Sequence, residues 1–276
     1  MADRADGRAI GTVTRGTTNT NRLRRVDRWL AAQPVLRRIG DPLVVDLGYG
    51  ASPVTVLELQ RRMSRHRPDV EVLGLEIDPA RVHAARRHLR RVRAAATPFA
   101  PDARVGFDHG GFEVPLPPGR VPAVIRAFNV LRQYAEAEVS GAWELMRSRL
   151  HSGGIVIEGT CDELGRVSSW ITLDVDGPRS LTLSLRLAGV QRPSIVAERL
   201  PKALIHRNVP GERVHALMTS LDRAWTHAAP LSVYGPEQRW VATVKTLRAE
   251  GWPMIGGKSR WRLGELTVAW ECVAPR

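Results

Sequence analysis

The run from Leu43 to Leu59 constrains the fold of this chain more than any other stretch. Leu43, Val44 and Val45 lead into Asp46, the pattern of a short strand buried on both faces of a parallel sheet. Gly48 and Gly50 flank Tyr49, and Ser52 and Pro53 precede a new apolar periodicity at Val54, Leu57 and Leu59. Serine is a good N-cap and proline suits the first helical position, so a helix is expected from Pro53 to about Arg65. A strand, a glycine turn and a helix in that order bring backbone amides and a helix N-terminus close to a ligand. Glycine serves where the chain turns sharply or where no side chain can stand between backbone and ligand.

A second strand of the same kind follows. Val70 to Asp78 reads as a buried strand with Glu76 at its carboxyl end, and Pro79 opens another helix, running to Arg93. In open α/β sheets ligands lie beyond the carboxyl ends of the strands, where an acid on the second strand accepts from ribose hydroxyls. The pair Asp46-Leu47-Gly48-Tyr49-Gly50 and Leu73-Gly74-Leu75-Glu76-Ile77-Asp78 resembles the class I S-adenosylmethionine-dependent methyltransferases. It is less similar to NAD enzymes, because Pro53 stands where the third glycine of their fingerprint falls. The resemblance covers roughly residues 40 to 160 and is specific for a superfamily, not for a substrate.

The resemblance implies an α/β fold: a doubly wound, mostly parallel, seven-stranded-type methyltransferase sheet with a C-terminal antiparallel strand and a helical and hairpin insertion. It implies S-adenosylmethionine as cofactor, with Asp46, Gly48 and Gly50 shaping the methionine side and Tyr49 over the cofactor or the substrate entrance. Glu76 is expected on the ribose, and Ile77, Gly111 and Phe112 beside the adenine. The family's loop after the third strand carries an acid that is absent here. Gly110, Gly111 and Phe112 take its place, and Glu113 lies out of register.

The fourth strand, Ala123 to Ala127, leads into Phe128-Asn129-Val130-Leu131-Arg132-Gln133-Tyr134. Amine methyltransferases of nucleic acids carry Asn/Asp-Pro-Pro-Tyr at that place, which this chain lacks. The run more closely resembles an Arg-x-x-Asn-Val-Leu element of carboxyl- and small-molecule-methylating members. Asn129 is therefore expected at the cofactor, with Arg132, Gln133 and Tyr134 on the substrate side; the alternative for Asn129 is a helix cap. Upstream, Arg15 to Leu30 is expected to open a helix with apolar positions Leu23, Val26, Trp29 and Leu30. Its Arg-x-Thr-Thr start resembles the segment before the glycine loop of ribosomal-RNA guanine methyltransferases. That likeness implies that Arg15, Thr17, Thr18 and Asn21 hold the methionine carboxylate or the substrate; the alternative is a capped, solvated basic helix.

A helix from Glu136 to Leu150, closed by Gly153 and Gly154 in a left-handed cap, precedes the fifth strand, Ile155 to Cys161. Thr160-Cys161 resembles the catalytic pair of RNA cytosine-C5 methyltransferases, but their second Pro-Cys is missing, which favours a structural cysteine. Beyond residue 165 a hairpin is expected at 167–173 and 180–187, then helices from Arg192 to Trp252 and a closing strand at Trp261 to Trp270 that would insert into the parallel sheet.

One domain is expected at 15–276, with a cofactor-binding core at 15–164 and the remainder at 165–276, behind a disordered tail at 1–14. Zinc and P-loop patterns are absent and no metal site is expected. Two cysteines exclude a disulfide framework, and the lack of membrane-length apolar runs and of a signal-peptide core points to a cytoplasmic protein without a membrane partner. The net charge of +13 invites nucleic acid, but only three of the 41 basic residues are lysine, which equally fits compositional bias. The expected activity is methyl transfer to a small molecule or protein side chain. RNA is an alternative acceptor, and a non-catalytic cofactor-binding protein is a second alternative. Nothing in the sequence names a general base, a catalytic residue or an oligomeric state.

Overall fold

The computed structural model describes residues 9–276. After an extended segment, α1 (Arg24–Ala31) and α2 (Val35–Arg38) precede β1 (Leu43–Leu47), α3 (Val54–Met63), β2 (Glu71–Glu76), α4 (Pro79–Arg93), β3 (Val105–His109), β4 (Val124–Phe128), α5 (Val139–Ser148) and β5 (Ile155–Cys161). The second half holds β6 (Val167–Leu173), β7 (Pro178–Leu185), α6 (Lys202–Ile205), α7 (Arg213–His227), α8 (Pro236–Ala249), β8 (Met254–Ile255), α9 (Lys258–Trp261) and β9 (Glu265–Ala269).

All nine strands among the described residues join one sheet in the order β3-β2-β1-β4-β5-β6-β7-β9-β8. The five strands from β3 to β5 run parallel, and the next four are antiparallel extensions. The strand order reverses between β1 and β4, which opens a crevice at the carboxyl ends of those two strands. Successive strand residues point to opposite faces, and both faces are covered. Val44, Val72, Val105 and Ile157 pack with α1, α3 and α4, whereas Val45, Leu75, Ile125 and Val156 pack with α5, α7 and α8. The sheet is therefore doubly wound.

Several sequence expectations need correction. The C-terminal antiparallel strand exists, but β9 pairs with β7 and β8 at the far side of the sheet instead of inserting among the parallel strands. Trp261 to Gly264 is a helical turn and bend, not part of that strand. Residues 15–23 do not form a helix, which starts only at Arg24. Helix α5 ends at Ser148, and Gly153 and Gly154 are not left-handed. Gly154 instead lets the chain pass close to the Ala123 carbonyl, 2.9 Å from where a Cβ would sit. Of the expected disordered tail, residues 1–8 lie outside the described residues, while residues 9–14 are an extended strap packed on the sheet's carboxyl edge.

Candidate active site

The glycine turn after β1 is built by contact. Gly48 and Gly50 have φ of +68° and +83°, and a Cβ on Gly48 would stand 2.6 Å from Val130 Cγ2. Glu76, buried at the end of β2, braces the turn. Its Oε2 accepts from the Gly50 amide at 2.8 Å and its Oε1 from the Ile77 amide at 3.0 Å, with Arg81 3.6 Å away. Asp46 is fully engaged beneath. Arg126 from β4 grips both its oxygens at 2.8 and 2.5 Å and also reaches Asp27 of α1, which Arg62 binds from the other side. Burial pushes the Asp27 carboxyl up to about 6 against the pull of the two arginines.

Tyr49 touches the wall of a cavity beside the turn but packs mainly inward. Its ring is 5% exposed and meets Phe107 edge-on at 5.3 Å, beneath the sheet's α3 and α4 face. Burial, with Glu76 nearby, pushes its phenol above the ordinary value.

The strap crosses the crevice directly over these groups. Its backbone passes between Ile77 and Phe112: a Cβ at Gly11 would lie 3.4 Å from Ile77 Cδ1 and 3.5 Å from Phe112 Cε2. The Ile10 carbonyl accepts from the Phe112 amide at 2.9 Å, and a Cβ on Gly111 would collide with that carbonyl at 2.1 Å. Glu113, out of register in the sequence, binds the Ile10 and Gly111 amides at 2.7 and 2.8 Å. Gly16 then offers its carbonyl to the Ala51 amide, and Arg81 holds the Thr14 carbonyl, each within 2.9 Å. Gln133 accepts from the Arg15 amide at 2.9 Å, and Tyr134 exchanges two hydrogen bonds with Thr12. Two of the three expected substrate-side groups on this loop thus hold the strap.

Beside the strap, between the glycine turn and the ends of β4 and β5, lies a cavity of about 600 Å³. Arg15, Thr17, Thr18, Asp46, Gly48, Tyr49, Gly50, Asn129, Arg132 and Gln133 line it, all expected at the site from the sequence. Cys161, which the sequence favours as structural, lines it too, and Arg22 and Arg199 do so without having been anticipated as site residues. Asn129 has φ of +61° and is not a helix cap. Its Oδ1 accepts from the Cys161 amide at 3.0 Å and its amide nitrogen meets Cys161 Sγ at 3.3 Å, so it ties β4 to β5. Cys161 is buried, and burial pushes its thiol above the ordinary value, which disfavours a thiolate nucleophile. Asn21 is not at the cavity. Its amide binds the Glu58 carboxylate and its Oδ1 accepts from Arg62 at the junction of α1 and α3.

The arginines of α4 are partly employed within the fold: Arg86 binds the Phe107 carbonyl and Asp108, and Arg93 the Pro101 carbonyl. No cluster of metal ligands occurs among the described residues, and no described helix is long and apolar enough to cross a membrane.

No family model and no curated protein matches the chain. Among solved structures it is similar to an O-methyltransferase (NcsB1) from neocarzinostatin biosynthesis, at 20% identity over 48% of this chain and 35% of that one, with a TM-score of 0.35. It is similar to mitomycin 7-O-methyltransferase MmcR at 18% identity over 50% and 36%, with a TM-score of 0.36. It is also similar to human N-acetylserotonin methyltransferase at 20% identity over 52% and 36%, with a TM-score of 0.35. The chain spans about a third of the length of each of these proteins, and likenesses at such scores carry no argument about its activity.

Proposed function

We propose that this chain is an S-adenosylmethionine-dependent methyltransferase acting on a small molecule or a protein side chain. The observation that carries the reading is the conjunction at the strand-order reversal. A buried acid ends β2, its carboxylate touches the glycine turn after β1, and apolar walls from Ile77 and Phe112 stand beside it. That donor set fits an adenosine: a carboxylate for ribose hydroxyls and flat apolar surfaces for the base. The strap lies between the same walls, so adenosine and residues 10–14 compete for one space. Pro53 at the head of α3 removes the third glycine that a dinucleotide pyrophosphate needs for close approach.

On this reading Glu76 holds the ribose, Ile77 and Phe112 the base, and Gly48 and Gly50 admit the methionine portion alongside Arg15 and Thr17. The bound cofactor supplies an already activated methyl group, so the protein's task is alignment and exclusion of water. Asn129, fixed by its two contacts to Cys161, is placed to orient an acceptor at the ends of β4 and β5. Among the described residues no histidine lines the cavity, and Glu163 is the one lining carboxylate not taken by an arginine within the fold. This favours acceptors that are already nucleophilic or that lose their proton to solvent.

The test is calorimetric titration of the full chain with S-adenosylmethionine and, separately, with NAD. Binding of the first alone supports the reading. Binding of neither favours a second one, a protein that keeps the fold without the chemistry, for which the strap in the adenosine space is the motivating observation. Binding of NAD alone overturns both.

A further inference from the structure

The cavity beside the glycine turn carries an unbalanced charge. Arg15, Arg22, Arg132 and Arg199 line it, and none of the four has a carboxylate within 4.0 Å among the described residues, whereas Asp46 on the same wall is already bound by Arg126. Glu163 is the remaining carboxylate on the wall. Most other buried or half-buried guanidinium groups in this molecule have found an acid, as Arg62, Arg81, Arg126 and Arg260 show. Arg25, Arg147 and Arg239 also lack an acid but spend their donors on carbonyls; what sets the cavity apart is that four arginines without an acid line it together.

They divide into two groups. Arg15 belongs to the strap beside the glycine turn, and Arg22 is occupied with the carbonyls of Thr17, Cys161 and Asp162. Arg132 and Arg199 come from the loop after β4 and from the connection leading to α6. They meet there: Arg132 Nη1 donates to the Glu198 carbonyl at 2.9 Å, which places its guanidinium against the peptide before Arg199.

The position of Arg199 is built from beneath. Thr160 Oγ1 on β5 and Ser169 Oγ on β6, both fully buried, donate to its carbonyl at 2.5 Å each. Two buried hydroxyls on neighbouring strands are thus committed to fixing the backbone of Arg199 beside the cavity. Burial, together with the charge of Arg199, holds the Arg132 guanidinium below its ordinary value, the Glu198 carboxylate offsetting only part of this, and an approaching anion relieves the cost.

We propose that Arg132 and Arg199 form an oxyanion subsite at the carboxyl ends of β4 and β5, and that the methyl acceptor carries a carboxylate or phosphate group. The guanidinium fork matches the two oxygens of either group, which a point charge does not. The subsite lies at the ends of β4 and β5, three residues beyond Asn129, and on the methyltransferase reading it serves the acceptor. The assignment of the anion to an acceptor rests on the methyltransferase reading; the anion site itself does not.

The test titrates the full chain calorimetrically with benzoate, phenyl phosphate and the neutral benzamide, with and without S-adenosylmethionine. The expected result is binding of benzoate or phenyl phosphate with benzamide weaker by about tenfold or more, a 1.4 kcal/mol discrimination. The tighter of the two anions names the group. R132A/R199A is expected to weaken the anion by about tenfold or more, with S-adenosylmethionine affinity unchanged. If that pair loses its thermal transition, the single variants R132A and R199A are read instead, each expected to cost about threefold. Equal binding of benzamide and benzoate, or anion binding that survives loss of both guanidinium groups, overturns the subsite. Anion binding as expected but no S-adenosylmethionine binding overturns the methyltransferase reading and leaves the subsite standing.

Discussion

The hydroxyl of Tyr134 accepts from the Thr12 amide at 2.6 Å and donates to the Thr12 carbonyl at 3.1 Å, closing a loop of 122 residues with two bonds from one side-chain atom. Tyr134 thereby behaves towards the strap as a neighbouring strand would. Its ring is held in turn by Phe112, edge-on at 5.3 Å.

Tyr134→Phe keeps the ring and removes both bonds. Each contributes about 0.5–1.5 kcal/mol, so the strap should open about tenfold more often. Native-state hydrogen exchange at Thr12 and its neighbours reads this directly. If adenosine and strap compete, S-adenosylmethionine should bind correspondingly tighter to the variant. Unchanged exchange would remove Tyr134 as the clasp.

Glu76→Gln separates bracing from binding. Glutamine keeps one acceptor oxygen and loses the charge, leaving a buried amide of the turn unpaired at a cost of about 1–3 kcal/mol. Urea denaturation should register that loss. A fall in S-adenosylmethionine affinity beyond about fivefold is expected besides, since the ribose also loses a charged acceptor. Lowered stability with unaltered affinity would confine Glu76 to bracing.

Arg126→Met leaves Asp46 without its partner and Asp27 with Arg62 alone, inside a region from which water is excluded. Removing one member of a buried ion cluster typically costs about 3–5 kcal/mol. A urea midpoint within experimental error of the parent would show that the cluster contributes nothing to stability.

Glu158 on β5 is fully buried, and neither of its oxygens nor Trp143 Nε1 has a hydrogen-bond partner among the described residues. Burial pushes its carboxyl up to about 8, the neighbouring Trp143 indole offsetting only part of the effect. Between the unfolded value of 4.5 and about 8 the folded state therefore holds a proton that the unfolded state has lost. Unfolding releases it, so this group's contribution to stability is greatest below pH 4.5 and declines as pH rises towards 8, by up to about 1.4 kcal/mol per pH unit. Glu158→Gln should flatten that decline in denaturation curves taken from pH 5 to 8. An identical slope in parent and variant would assign it to other groups.

The parallel half of the sheet was legible because most of its strands are short apolar runs followed by a glycine or an acid. Leu43 to Leu47, Glu71 to Glu76 and Ile155 to Cys161 all fall where the pattern puts them. Local pattern says nothing about partners, which is why the place of β9 was not readable: its alternation suits any antiparallel neighbour. The strap was missed for a related reason. Ile10 to Thr14 is short and without helical periodicity, and contacts far along the chain, with Arg81, Phe112, Glu113 and Tyr134, give it a conformation. Gln133 and Tyr134 were recognised as unusual polar groups at a strand end, but their use in holding the strap depends on that missed segment. Arg199 gave no signal, since it is one arginine among many and owes its position to Thr160 and Ser169.

The two hydroxyls that converge on the Arg199 carbonyl also bear on mechanics. Thr160 and Ser169 face each other across the seam between the parallel and antiparallel halves of the sheet. A slip of one residue along that seam would carry one hydroxyl about 3.3 Å away and turn it to the opposite face. The carbonyl therefore works as a registration pin between two halves of unlike topology, and the backbone that carries Arg199 is held only while they are in step.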